Sequence, residues 1–334
     1  MNYFNKEEFK QNYSKTMKQL DNVQEIAKII SKRKIEKIFL VGSGGAYTKF
    51  VNLRPMLFEK LNKPFIITSP EELGSLYHNQ ISNESLIIAG TKTGETLELI
   101  DALRKVKETC PQSIILGFIG DDDTKLDQTN VCDYRISSID TDVHLILFGW
   151  FLLSYTHSNS DELNKWSKEL SMLGDSITSV LASMEGPAVE TISKVDTTQM
   201  QMWVGSGRLW GEICCYCNYI LEEIQWIPAQ GIHSSEFFHG PFELVTEDFN
   251  VNVVLNDDEN RKQDIRVLNF VKKYTSNYSV IDMREYKMNT VNPELSKFIE
   301  PYILNLHFDT MLKIYTKKTG KSSKTRRYYR VTEY

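Results

Sequence analysis

Cysteine is scarce in this chain: five occur among 334 residues, at Cys110, Cys132, Cys214, Cys215 and Cys217. An odd count, with no apolar signal segment in Met1-Asn-Tyr-Phe-Asn-Lys-Glu-Glu, argues against a disulfide framework. No second Cys/His pair stands at zinc-ligand spacing from Cys214-Cys-Tyr-Cys217. That cluster also falls in a helix-like apolar stretch, so it is read as core packing and no metal is expected. Long apolar runs are missing too. The longest, Val143 to Leu153, is too short to span a bilayer and is read as a buried helix. Neither sign of charge dominates, since 44 acidic against 39 basic residues leave a net charge of −5. A nucleic-acid or anionic-membrane surface is therefore not implied, although a helix N-terminus can still hold one phosphate without a basic surplus. What remains is an ordinary soluble, cytoplasmic protein, long enough for two domains.

Two segments of the chain read alike. Lys37-Ile-Phe-Leu-Val-Gly-Ser-Gly44 is a short apolar strand running into a glycine-rich turn, and Gln201-Met-Trp-Val-Gly-Ser-Gly207 repeats it in the second half. The repeat points to a duplicated α/β unit. In the first half, strands are expected at Ser85–Ala89 and Ser113–Ile119, with an amphipathic helix from Glu95 to Glu108. In the second, strands are expected at Phe249–Leu255 and Ser279–Met283, with a helix over Arg261–Tyr274 between them. Strands alternating with helices give a parallel sheet covered on both faces. A polar helical region from Asn159 to about Lys194 is expected between the halves, and a long helix ending near Lys317 precedes a basic segment, Lys321 to Arg330. That segment reads equally as a solvated tail or as a cover for an anionic substrate.

Neither of the common nucleotide sites fits. Gly42-Ser-Gly-Gly-Ala-Tyr47 has Tyr47 where a dinucleotide fingerprint has its third glycine, and no acidic residue ends the strand near position 65. No Gly-Lys-Ser/Thr tripeptide stands in a Walker loop. No cofactor is expected. Thr91-Lys-Thr-Gly-Glu-Thr96 is the better candidate, because it joins a strand to a helix and offers the hydroxyls of Thr91, Thr93 and Thr96 together with free backbone N–H groups. One helix cap would explain one threonine but not three. Lys92 either adds charge there or points to solvent.

The segment from Glu223 to Pro241 places a carboxylate at the end of an apolar helical run and His239 beyond a break, beside Gly240-Pro241. A carboxylate and an imidazole on separate supports are what general acid–base catalysis needs when both reach one substrate. The plainer reading is a helix-end glutamate and a turn histidine that satisfy backbone groups.

These residues resemble the sugar isomerase (SIS) family of phosphosugar-binding domains. Thr91–Thr96 matches its Ser-x-Ser-Gly-x-Thr phosphate loop and the two Val-Gly-Ser-Gly segments match its first βα turn. The resemblance implies an α/β fold of two tandem SIS domains, each a flavodoxin-like parallel sheet between helices. The expected division is an N-terminal helical segment over 1–35, SIS domains over 36–160 and 199–334, and a helical connector over 161–198. A narrower similarity, carried by Glu223-Ile-Gln-Trp-Ile, by Ile232 to Glu243 and by Arg326 to Tyr334, is to deglycases of phosphorylated Amadori products. It implies Glu223 and His239 as catalytic, a homodimer with its active site at the subunit interface, and Arg326, Arg327 and Arg330 as candidates for holding an amino-acid carboxylate. The related glucosamine-6-phosphate synthase has lysines where this chain has Ile220 and Val331, and its amidotransferase half is not expected here. Losing both lysines argues against the synthase reaction.

The expected function is cleavage of an amino-acid–sugar 6-phosphate, fructoselysine or glucoselysine 6-phosphate, to a free amino acid and a hexose 6-phosphate. Ser43, Thr91, Lys92, Thr93 and Thr96 would bind phosphate and sugar. Glu236 either orients His239 or caps a turn, and His233 is read as a packed or hydrogen-bonded residue. The rival readings are an aldose–ketose isomerase of sugar phosphates and a non-catalytic phosphosugar sensor. Sensors of this kind usually carry a basic recognition helix, which the residues before the first strand do not show.

Overall fold

The computed structural model describes residues 3–137, 141–288, 291–329 and 331–332. The chain divides into two compact units, one of residues 7–174 and 291–302, the other of residues 1–6, 175–290 and 303–334.

The unit of residues 7–174 is built on five parallel strands: β1 (Lys37–Val41), β2 (Phe65–Thr68), β3 (Ser85–Thr91), β4 (Ile114–Ile119) and β5 (Tyr134–Ser137), in the order β2-β1-β3-β4-β5. The central strand β3 is buried along its whole length, which is why its sequence reads as an apolar run without alternation. Phe39, Ile87 and Ile115 lie in register across β1, β3 and β4, and pack with Leu99, Leu103 and Val106 of the helix Leu97–Thr109. The helix Thr141–Thr156 packs beside the helix Leu20–Ser31, and the indole Nε1 of Trp150 donates to the Leu20 carbonyl at 2.9 Å.

The other unit repeats the plan with β6 (Gln201–Gly205), β7 (Ala229–His233), β8 (Asn250–Leu255) and β9 (Tyr278–Asp282), all parallel, in the order β7-β6-β8-β9. In both sheets the first strand of the unit lies between the second and the third, the doubly wound order of flavodoxin-like folds. The helix Arg261–Tyr274 has the bounds that its periodicity predicts, and places Val267, Leu268 and Val271 against Val251 and Val253. The recurrence of Val-Gly-Ser-Gly also has a backbone cause. Gly44 and Gly207 adopt φ of +57° and +60°, a region that disfavours a side chain, and a Cβ on Gly207 would lie 2.2 Å from Oδ2 of Asp258.

The polar region after residue 159 forms two helices, Ser160–Met172 and Gly174–Lys194, and the C-terminal helix spans Pro293–Thr319. Among the described residues no helix is long and apolar enough to cross a membrane.

Candidate active site

The Thr91–Thr96 loop leaves the carboxyl end of β3, where ligands bind in open α/β sheets. It is fixed by the next turn of its own unit. The N–H groups of Gly120 and Asp121 donate to the carbonyls of Thr91 and Lys92, at 3.0 and 2.8 Å, and Leu126 N–H donates to the Gly94 carbonyl at 3.0 Å. Gly94 has φ of +61°, and a Cβ there would fall 2.2 Å from Oγ1 of Thr124. This left-handed residue is why the helix begins at Leu97, two residues later than its periodicity predicts.

The three threonines do different work. Buried Thr91 accepts from Gly94 N–H at 3.1 Å, and Thr93 accepts from Glu95 N–H at 3.3 Å, so both hydroxyls shape the loop. Thr96 stands at the N-cap of the helix Leu97–Thr109 without closing it, and its hydroxyl has no hydrogen bond among the described residues. Glu95 is held by Lys125, at 2.8 Å from its ammonium and 3.0 Å from its N–H. Lys92 and Ser43 are both exposed, Ser43 on the neighbouring β1 turn.

The topological counterpart of this loop in the other unit is Asn256-Asp257-Asp258-Glu259-Asn260, after β8. It is closed by its own contacts. Asp264 is fully buried and takes hydrogen bonds from Ser206 Oγ at 2.6 Å, Ser234 Oγ at 2.5 Å and both nitrogens of Asn256 at 3.1 and 2.8 Å. Burial raises the Asp264 carboxyl above the usual range, and these donors oppose the shift. Asp258 accepts the Arg208 N–H at 3.2 Å, and Asp257 pairs with Arg284 and Lys287. An acidic turn disfavours a phosphate, so the two halves share a fold and differ in chemistry.

Glu223 belongs to that second unit. The helix Trp210–Cys215 passes into a π-helix, Tyr216–Gln225, whose last bond runs from Trp226 N–H to the Leu221 carbonyl five residues back. Cys215 and Cys217 are buried along it, as packing residues. Segments of π-helix are rare and recur at functional sites. This one ends on Trp226 with φ of +56°, a left-handed conformation that is unfavourable for a bulky residue and needs support from its surroundings.

That support comes from the C-terminal segment. Buried Gln225 accepts from Thr319 Oγ1 at 2.7 Å and donates to the Lys321 carbonyl at 3.1 Å, while Lys321 Nζ donates to the Gln225 carbonyl at 2.8 Å. Arg327 and Lys321 lie over the Trp226 ring, 4.2 and 5.1 Å from its centroid. Arg326 Nη2 reaches Oε1 of Glu223 at 2.9 Å. Glu222, Glu223, Trp226, Pro228, Arg326, Arg327, Tyr328 and Tyr329 line the resulting cavity of 460 Å³. Sequence reasoning missed Gln225, Trp226 and Lys321. The signal available was the density of cations and tyrosines in the basic segment, opposite a tryptophan placed directly after the glutamate.

His239 lies elsewhere on the same unit, at the end of a 3₁₀ turn, Phe237–His239, and is not among the residues lining that cavity. Its imidazole is exposed, with no hydrogen bond or ion pair among the described residues. Gly240, with φ of +137°, turns the chain immediately after it. The Glu236 side chain neither caps this turn nor bonds His239; Ser235 Oγ approaches it at 3.4 Å, and its carbonyl accepts the His239 N–H. His233 is hydrogen-bonded to Ser235 at 2.7 Å and packed edge-on against Trp210, the structural role expected of it. Arg330 lies outside the described residues.

The geometry can be set beside known proteins. A crystal structure from Bacillus subtilis, assigned as a candidate phosphosugar isomerase, superposes with a TM-score of 0.85 over 96% of this chain and 100% of its own, at 22% identity. The chain has the fold of that structure, with two doubly wound α/β units in tandem. No family profile matches it. Its sequence resembles the phosphosugar-amine deglycases. A fructosamine deglycase of Bacillus subtilis is 23% identical over 293 residues, 85% of this chain and 88% of that protein. A fructoselysine 6-phosphate deglycase of Escherichia coli is 30% identical over 109 residues, a stretch that covers 33% of this chain and 31% of that protein.

Proposed function

We propose that this protein is a cytoplasmic, homodimeric deglycase that releases an amino acid from a sugar-amine 6-phosphate. The observation that carries the reading is Glu223, paired with Arg326 on the wall of a 460 Å³ cavity at the end of a π-helix. The similarity to a fructosamine deglycase over most of both chains supports it.

Thr96 and the N–H groups at the start of its helix take the phosphate, with Thr91 and Thr93 shaping the loop and Ser43 and Lys92 at its rim. This fixes the open-chain sugar. Glu223 removes the proton from the carbon α to the carbonyl, and the electron pair forms an enaminol. Return of a proton to the neighbouring carbon gives an imine. Water adds to the imine carbon, the C–N bond breaks, and the nitrogen leaves as a protonated amine. His239, with an uncommitted imidazole, opens the ring and carries protons. Arg327 makes no hydrogen bond or ion pair among the described residues and is the guanidinium available for the amino-acid carboxylate, because Arg326 is taken by Glu223.

The test is product identification by mass spectrometry over lysine- and aspartate-derived fructosyl and glucosyl 6-phosphates. Release of free amino acid with one hexose 6-phosphate is expected. Interconversion of plain aldose and ketose phosphates with no amine released would make the protein an isomerase instead.

A further inference from the structure

A second cavity, of 340 Å³, lies in the unit of residues 7–174 and has no part in the chemistry above. It is lined by the C-terminal ends of two helices, with Gln24, Lys28 and Ser31 from Leu20–Ser31 and Ser154 from Thr141–Thr156, and by His157 beyond them. Topology places it. The helix Leu20–Ser31 runs into the start of β1, so its end lies at the amino edge of the sheet. The helix Thr141–Thr156 leaves the carboxyl edge after β5 and crosses back to the same amino edge. The Thr91–Thr96 loop sits at the carboxyl edge, so the two sites are at opposite ends of one sheet.

Ser154 is the informative residue. It is 6% exposed, it lines the cavity, and its Oγ has no hydrogen-bond partner among the described residues. A helical serine or threonine ordinarily bonds the carbonyl four residues back, and Thr156 does so on Leu152 at 2.8 Å. Ser154 does not. A buried hydroxyl without a partner is costly, and such exceptions in folded proteins call for an explanation. His157 is pre-oriented beside it, with Nε2 on Glu162 and its ring against Trp166 at 4.8 Å, which leaves Nδ1 uncommitted among the described residues. Hydroxyl, amide, imidazole and ammonium groups share the lining with the apolar surface of Tyr155 and Leu163, and the volume lies at the small end of ligand pockets.

We infer that this cavity binds a small polyhydroxylated ligand of hexose size, at a site separate from the phosphate loop, with Ser154 and His157 as hydrogen-bonding groups. Lys28 at its rim provides for a phosphorylated form. The ligand's hydroxyls satisfy a group that the protein leaves unsatisfied.

The test is calorimetric titration of the full chain with glucose and, separately, glucose 6-phosphate, on the wild type and on Ser154→Ala, Ser154→Leu and Thr96→Val. Ser154→Ala removes a hydroxyl that has no partner among the described residues, so it folds at least as stably as the wild type. Saturable glucose binding is expected, weakened at least tenfold by Ser154→Ala, abolished by Ser154→Leu and unchanged by Thr96→Val. Tighter binding of glucose 6-phosphate that falls to the glucose level in Lys28→Ala assigns the phosphorylated form; equal binding assigns the neutral sugar. No binding of either at millimolar concentration, as when an ordered water alone satisfies Ser154, overturns the inference. Binding lost in Thr96→Val but kept in Ser154→Leu overturns it too.

Discussion

Arg326 Nη2 lies 2.9 Å from Oε1 of Glu223, and the two side chains are only 20% and 23% exposed. This partly shielded ion pair joins the C-terminal segment to the end of the π-helix, with Gln225 and Trp226 as the neighbouring anchors. The segment therefore forms a wall of the candidate active site.

Glu223→Gln removes the base and His239→Asn removes the proton carrier. Each should lower kcat by about 10²–10⁴-fold, the usual contribution of one general acid–base group. Steady-state kinetics on a sugar-amine 6-phosphate, with circular dichroism to confirm the fold, measures this. Wild-type turnover in either variant would remove that residue from the mechanism.

Arg326 and Arg327 should separate by substrate. Arg326→Met deprives Glu223 of its partner and should lower kcat/KM by at least about tenfold for every substrate, the size of a charge-assisted hydrogen bond. Arg326→Lys should recover only part, since an ammonium lacks the guanidinium fork. Arg327→Ala should raise KM for carboxylate-bearing amines alone. Comparing lysine-derived and simple alkylamine-derived substrates decides the assignment, and an Arg326 loss confined to carboxylate-bearing substrates would reverse it.

Thr96→Val replaces the one loop threonine whose hydroxyl the described structure does not use. A hydrogen bond to a charged phosphate is worth roughly 1.5–3 kcal/mol, so KM should rise about tenfold or more while kcat changes little. Thr91→Val should cost stability as well, because Thr91 also holds Gly94 N–H in the turn. A Thr96→Val enzyme with unaltered KM would move the phosphate elsewhere.

Acid should destabilise the unit containing His307, which burial drives from the ordinary 6.5 down to about 4. The folded state keeps this ring neutral while the unfolded chain protonates it. The stability it contributes is thus complete above pH 6.5 and is lost as pH falls toward 4, by about 3 kcal/mol in all. Denaturant unfolding of the wild type and His307→Gln at pH 7.5 and 4.5 measures it. The variant should narrow the gap between the two pH values, and an unchanged gap would assign the acid sensitivity to other groups.

Much of the fold could be read directly. The strands β1, β3, β4, β6 and β8 are covered on both faces, so they stand out as apolar runs, and the Val-Gly-Ser-Gly turns recur because Gly44 and Gly207 both need a positive φ. Periodicity starts the helix Leu97–Thr109 two residues early, because its true start depends on Gly94 fitting under Thr124. The π-helical winding before Glu223 was not legible, since α and π turns draw on the same residues and the choice is made by what packs around them.

The sequence by itself determined the duplicated α/β plan, the threonine loop after β3 and the chemistry that a glutamate and a histidine near Pro241 can perform. These follow from local periodicity, turn geometry and functional groups, which a linear reading contains. Only the tertiary structure decided that Arg326 meets Glu223, that of the three loop threonines Thr96 alone has a hydroxyl with no hydrogen bond among the described residues, that the second crevice is closed around Asp264, and that Ser154 is buried with no partner among those residues. Each of those depends on residues far apart in the chain being brought to hydrogen-bond distance, or being denied a partner, and only packing sets that.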